Sequence, residues 1–238
     1  MKSNEVISYN NAMEKYVSRN HGFTYGLSVI DILDLFPNFE ETIEPYSFLG
    51  GTSTSIDIAL LKALGRKYEN CRYLEIGTWR GESIANMADI AYECVSIDKT
   101  KDRFFSNSFD NIQYYNNNSS TFDYSIFKEG FDIIYVDGNH KYENVKQDTE
   151  NVFKLLKNEN AVIVWHDYCF NPESIQWHVL AAILDGCPKE HKNNLYHVSN
   201  TLCAIFIKGN FETTFLNPSS KPNKVFKVVL SVKKVIND

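Results

Sequence analysis

From Arg72 to about Lys208, short apolar runs alternate with stretches in which apolar positions recur at helical spacing. The strand candidates are Tyr73–Ile76, Cys94–Ile97, Ile112–Tyr115, Asp132–Val136, Ala161–Trp165, Tyr196–Val198 and Cys203–Ile207. Such alternation is the signature of a mostly parallel sheet with helices on both faces. Between the fourth and fifth runs, residues 142 to 156 bring Tyr142, Val145, Val152, Phe153 and Leu156 onto one helical face. Only Ser199 to Leu202 separate the last two runs, which predicts an antiparallel pair at one edge. The expected fold is α/β: a doubly wound, seven-stranded, mostly parallel sheet over residues 66–208.

Residues 1–65 predict a helical N-terminal cap. Val6, Ile7, Met13, Tyr16 and Val17 fall at roughly helical spacing, and a second run from Leu27 to Phe36 is closed by Pro37, a usual helix stop. Ile56 to Leu64 reads as a third helix, capped by Thr54 or Ser55, with Gly65 just past its end. The tail, 209–238, differs in character. Val225, Val228, Val229, Val232, Val235 and Ile236 would share a helical face, yet their β-branching also suits a strand. A basic amphipathic helix can lie on a membrane surface, but the tail is expected to pack on its own domain or on a partner subunit. The cap and the tail are the candidate surfaces for a homo-oligomer.

A chain of 238 residues with 43% hydrophobic content can bury a full core as one domain with appendages. A net charge of −6 and a pI near 5.6 argue against a nucleic-acid partner. Five cysteines without paired or metal-type spacing fit a reducing, cytoplasmic setting. The N-terminus does not lead into a signal-peptide core, and no apolar run is long enough to span a bilayer. The sequons at Asn117 and Asn118 are then accidental.

The candidate chemistry begins at Tyr73-Leu74-Glu75-Ile76-Gly77-Thr78-Trp79-Arg80-Gly81: a buried strand, a tight turn and a helix start. This construction leaves backbone amides facing a crevice beyond the strand end, where open α/β sheets hold ligands. In the dinucleotide fingerprint the third and sixth positions are glycine; here they are Trp79 and Glu82. An indole obstructs the close approach a pyrophosphate needs, and an acid repels it. That disfavours a nicotinamide oxidoreductase and suits a nucleoside without phosphates, of which S-adenosylmethionine is the common one. The same loop also reads as an ordinary βα turn. Asp98 ends the next strand about 20 residues after Gly77, the separation at which an acid meets ribose hydroxyls. It also reads as a turn-starting aspartate.

Two further strands end in polar clusters, Asp137-Gly138-Asn139-His140 and His166-Asp167-Tyr168. In a doubly wound sheet they would emerge beside the glycine loop, where two aspartates can hold a hard divalent cation. Each aspartate could equally cap the loop that follows it. His140 could accept a substrate proton or merely cap the next helix.

Taken in order, the Glu75–Gly81 loop, the Asp137–Tyr142 cluster and the His166–Tyr168 cluster resemble class I S-adenosylmethionine-dependent methyltransferases. The similarity covers about residues 70 to 207 and is greatest to the branch that includes sugar and small-molecule O-methyltransferases, some dependent on magnesium. It implies a Rossmann-like fold with Glu75, Gly77 and Gly81 at the methionine end and Thr78 and Trp79 in the same loop. Asp98 would hold the ribose, and Asn118 and Ser119 would stand on the adenine side, Asn118 replacing an acid. Asp137 and Asp167 would be ligands to Mg2+ or another divalent cation, with Asp137 also facing the cofactor and the acceptor. His166 stands where a carboxylate is usual and suits a transition metal better; it also reads as a packed histidine. His140 would be the base. The expected acceptor is a hydroxyl on a sugar, polyol or other small molecule, with Tyr9, Tyr16, Tyr25 and Phe36 closing over it. The competing expectation is a non-catalytic nucleoside-binding or assembly subunit of the same fold.

Overall fold

The computed structural model describes residues 3–44, 53–101, 109–216 and 223–232. In chain order the elements are α1 (Ser3–His21), β1 (Ser28–Ile30), α2 (Ile32–Leu35), α3 (Ser55–Gly65), β2 (Arg72–Ile76), α4 (Glu82–Ala88), β3 (Glu93–Asp98) and β4 (Ile112–Asn116). There follow β5 (Ile133–Val136), α5 (Tyr142–Val152), β6 (Val162–Trp165), β7 (Cys169–Asn171), β8 (Ser174–Ile175), α6 (Trp177–Gly186), β9 (Leu195–Val198), β10 (Ala204–Phe206) and β11 (Thr213–Thr214).

All seven expected strands form, but the sheet described has nine, in the order β11-β1-β9-β10-β6-β5-β2-β3-β4. Strands β4, β3, β2, β5 and β6 run parallel, and β10 joins β6 antiparallel. The antiparallel β9–β10 pair is therefore not the edge: β1 lies parallel to β9, and β11 closes that side. The two added strands are β11 and one from the Leu27–Phe36 run. That run divides into strand β1 and the single turn α2, whose entry Asp31 caps by accepting from the Leu33 amide at 2.9 Å. A run of ten residues mixing Leu, Ile and Val has length enough for one helix or for a strand and a turn, and pairing with β9 decides for the strand.

Strand alternation sorts the core into two layers. Leu74, Ile76, Ile134, Val136, Ile163 and Trp165 pack with residues of α1, α5 and α6. Tyr73, Ile133, Tyr135, Val162 and Val164 pack with residues of α2, α3 and α4 on the other side. Burying one such Val, Leu or Ile side chain contributes about 1.5–3 kcal/mol, so the two layers dominate stability. Helix α3 begins in a capping box formed by Thr54 and Asp57. Helix α6, almost wholly buried, has no counterpart among the expected elements. Its run Val179-Leu180-Ala181-Ala182-Ile183-Leu184 is apolar on every side and carries no periodic signal.

The described tail, 223–232, is neither helix nor strand. Val225 and Val232 are 98% and 99% exposed, so of the two expected packings the one on its own domain is not formed by these side chains. Lys224 ties the segment to Asp31 at 2.5 Å. Val235 and Ile236 lie outside the described residues.

Candidate functional site

The sheet ladder continues past the strand ends and sets the height of each site residue. The Gly77 amide donates to the Ile97 carbonyl (3.0 Å), the Asp137 amide to Ile76 (2.8 Å) and the His166 amide to Val136 (3.0 Å). The loops after β2, β3, β4, β5 and β6 thereby open together on one crevice of about 700 Å³. Gly77, Thr78, Trp79, Gly81, Asp98, Asn118, Ser119, Asp137, His140, His166 and Asp167 all line it. Of the expected cofactor, metal and catalytic residues, Glu75 alone does not. Alternation turns it to the α3/α4 side with Tyr73, where it is fully buried and accepts from Tyr73 Oη (2.5 Å) and Ser83 Oγ (2.8 Å). Burial pushes its carboxyl up to about 8. It supports the loop from behind.

Gly77 is a steric requirement. With φ at +89°, a Cβ there would lie 2.2 Å from the Asp137 carbonyl oxygen and 2.4 Å from Gly138 Cα. The β2 and β5 loops touch backbone to backbone. Trp79 also takes a positive φ, +44°, uncommon for a bulky residue. Its amide donates to Asp98 Oδ2 at 2.8 Å, while Thr100 donates to Oδ1 at 2.5 Å. Two amides thus fix the Asp98 carboxylate at the crevice wall, and each oxygen keeps a lone pair for a ligand hydroxyl. The Trp79 ring stands at the rim with the Arg80 guanidinium 3.9 Å from its centroid. Asn118 accepts from the Ser120 amide at 3.3 Å and starts a short turn at the end of β4.

On the opposite wall, β6 ends at Trp165 and Asp167 adopts φ +55°. Because the strand has ended, His166 and Asp167 face the same site. His166 Nδ1 lies 3.1 Å from Asp137 Oδ1 and 3.0 Å from Asp167 Oδ2; these three residues offer ligand atoms all within 4.8 Å of one another. Two carboxylates and an imidazole form a donor set that fits a divalent cation. Burial would depress His166, but Asp137, Asp167 and Asp57 hold it well above its ordinary value. His140 Nδ1 sits 2.8 Å from the same Asp167 Oδ2, which raises its pKa, and the side chain is half exposed to the crevice. Burial opposes the charge on Asp167, yet hydrogen bonds from His140 and His166 keep it below the usual carboxylate range.

Two residues were missed in the sequence. Ser53 lines the crevice, donates to Asp137 Oδ2 at 3.1 Å and lies 2.9 Å from Tyr135 Oη. Asp57, fully buried, meets His166 Nε2 at 3.3 Å. The Thr54-x-x-Asp57 capping box was readable, but not its partner, 109 residues away. Conversely, the tyrosines of the two clusters turn away: Tyr168 Oη accepts from the Leu27 amide at 3.0 Å, and Tyr142 Oη donates to Asp185. The expected aromatic lid is also corrected. Tyr9, Tyr16, Tyr25 and Phe36 do not line the crevice: Tyr16 donates to Asp185, Tyr25 rests near Phe215, and Phe36 packs on Phe39.

Residues 74–168 match the model of a methyltransferase domain. This segment holds all five strand ends that open on the crevice. A comparison with curated proteins finds no match. Among solved structures, the O-methyltransferase from Bacillus cereus, determined in complex with SAH, shares 16% identity and a TM-score of 0.50 over 85% of this chain and 100% of that one. The O-methyltransferase TomG from Streptomyces achromogenes, in complex with SAM, shares 17% over 66% of this chain and 82% of that chain, with a TM-score of 0.49. The YcgJ protein of Bacillus subtilis shares 18% over 47% of this chain, which spans only 50% of that protein, with a TM-score of 0.37. At such identities the B. cereus enzyme supports a shared fold: mixed α/β with a large, mostly parallel sheet. Among the described residues no helix is long and apolar enough to cross a membrane.

Proposed function

We propose that this chain is an S-adenosylmethionine-dependent methyltransferase that methylates a hydroxyl of a sugar or other small molecule, assisted by a divalent cation. The observation that carries this reading is the convergence on one crevice of a glycine loop, the Asp98 carboxylate and the Asp137–His140–Asp167 group. The methyltransferase-domain match over the same strands supports it. The crevice fits the donor: Gly77 lets backbone line its floor, Asp98 presents lone pairs at the end of β3, and Asn118 and Ser119 stand at the end of β4. When bound, S-adenosylmethionine supplies an electrophilic methyl group on a sulfonium.

The chain's own residues do the rest. Holding donor and acceptor in line can lower the barrier by several kcal/mol, up to about 7–11 in favourable models. Asp137, His166 and Asp167 would hold the cation, whose charge favours the ionised acceptor oxygen. Asp167 accepts from His140 Nδ1, which fixes the tautomer and leaves Nε2 free to take the acceptor's proton. Asp98 anchors the ribose while the Trp79 and Thr100 backbone amides keep its carboxylate from rotating.

The test is turnover of methyl-labelled S-adenosylmethionine with a panel of sugars, polyols and phenols, with and without added Mg2+ or Mn2+. Label transferred to a hydroxyl, and lost in His140→Ala, is the expected result. Transfer to nitrogen or carbon acceptors alone would overturn the hydroxyl assignment.

A further inference from the structure

Behind the crevice wall lies a buried charged group that the proposed reaction does not use. Asp57, on the first turn of α3, is completely buried, and its Oδ2 is shared between the helix cap and His166. Its Oδ2 accepts from the Thr54 amide (3.1 Å) and hydroxyl (2.5 Å), and its Oδ1 accepts from the Leu202 amide (2.9 Å) and lies 3.5 Å from Cys203 Sγ. The same Oδ2 meets His166 Nε2 at 3.3 Å, while His166 Nδ1 faces Asp137 and Asp167 on the crevice side. Leaving a buried carboxylate here is expensive unless it is paired and hydrogen-bonded. Asp57 is paired, and its partner is the one residue of the cluster with a nitrogen ligand to offer.

We infer that Asp57 is a positioning residue for the metal site: by accepting a hydrogen bond from Nε2–H it fixes the His166 ring and presents Nδ1 as a nitrogen ligand beside Asp137 Oδ1 and Asp167 Oδ2. Metal-bound histidines characteristically donate their other ring N–H to a carboxylate, which sets tautomer and orientation, and losing that partner typically weakens metal binding 10–100-fold. A ring held this way would offer Nδ1 as a neutral ligand, with its Nε2–H donated to Asp57. Helix α3, outside the segment that matches the methyltransferase-domain model, becomes part of the site through this contact. A ligand set of one nitrogen and two carboxylates also favours Co2+ over Mg2+. This inference rests on the divalent cation in the proposed function.

The test titrates the full-length protein with Co2+, followed by its visible absorption, and measures S-adenosylhomocysteine affinity in parallel. Asp57→Asn is expected to weaken Co2+ binding 10–100-fold with less than a twofold change in S-adenosylhomocysteine affinity. In a His166→Ala background the same substitution should change Co2+ affinity less than twofold. Equal losses in both backgrounds, or an unchanged affinity in Asp57→Asn alone, would overturn the positioning role. Pulsed electron paramagnetic resonance of Mn2+ on the unmodified protein serves if Asp57→Asn does not fold. A directly bound nitrogen is expected, and its absence would also overturn the inference. A wild-type protein that takes up neither Co2+ nor Mn2+ removes the metal reading itself; uptake without the Asp57 effect removes only the role of Asp57.

Discussion

Replacing Gly77 and Gly81 by alanine, separately, isolates how closely the β2 and β5 loops approach. Both glycines hold nearly the same left-handed backbone, φ +89° and +91°. Forcing an L-residue into that region costs about 1–2 kcal/mol at either position. Their surroundings differ. At Gly81 the nearest atom to an added Cβ is a side-chain methyl of Ile84 at 3.8 Å, an ordinary contact. At Gly77 the Asp137 carbonyl oxygen stands at 2.2 Å and Gly138 Cα at 2.4 Å, both backbone atoms that cannot rotate away. Overpacking of this kind typically adds about 1–3 kcal/mol. Gly81→Ala should therefore cost about 1–2 kcal/mol and Gly77→Ala about 2–5. The assay is urea denaturation with the slope checked, so that a shifted midpoint reports stability alone. Affinity for S-adenosylhomocysteine should fall with Gly77→Ala, because the overlap displaces Asp137 and the crevice floor together. Equal costs at the two positions would refute the backbone contact and the crevice geometry built on it.

Tyr168→Phe removes the acceptor of the buried Leu27 amide and should cost about 1–3 kcal/mol in the same denaturation assay, with S-adenosylhomocysteine affinity unchanged within twofold. Glu75 holds its proton up to about pH 8 when folded against an ordinary value of 4.5, so the folded state binds more protons between those limits and stability falls as pH rises through them. In Glu75→Gln that decline should disappear: the wild-type stability relative to the variant should drop by about 1 kcal/mol per pH unit across the window, and a flat difference would remove the buried proton. Saturating S-adenosylmethionine, at about 100 times its dissociation constant, should add about 2.7 kcal/mol of stability in a thermal-shift assay, whereas a shift with NAD alone would contradict the donor assignment.

Four of the five parallel strands, β2, β3, β5 and β6, were legible because each is a short, largely apolar run that meets Gly, Asp or His at its end, and burial on both faces leaves little else such a run can be. Strand β4 is only partly buried and ends in Asn. The crevice residues followed from the same logic, since a doubly wound sheet must bring those ends to one edge. Residue numbers alone could not say that Glu75 faces inward; that depends on which face of β2 carries Tyr73. The β1 strand was hidden because its partner β9 lies more than 160 residues away, and α6 because an all-round apolar run has no period. Asp57 shows the same limit at the site. Its capping box is local and readable, but the contact that gives it chemical meaning exists only once α3 packs beside the end of β6.

Calorimetric titration of S-adenosylhomocysteine into wild-type and Asp98→Ala protein tests most directly whether the strand ends form a nucleoside site. One saturable site in the wild type, weakened at least tenfold in Asp98→Ala, is the predicted result. No binding to the wild type, or equal affinity in the two proteins, would contradict it.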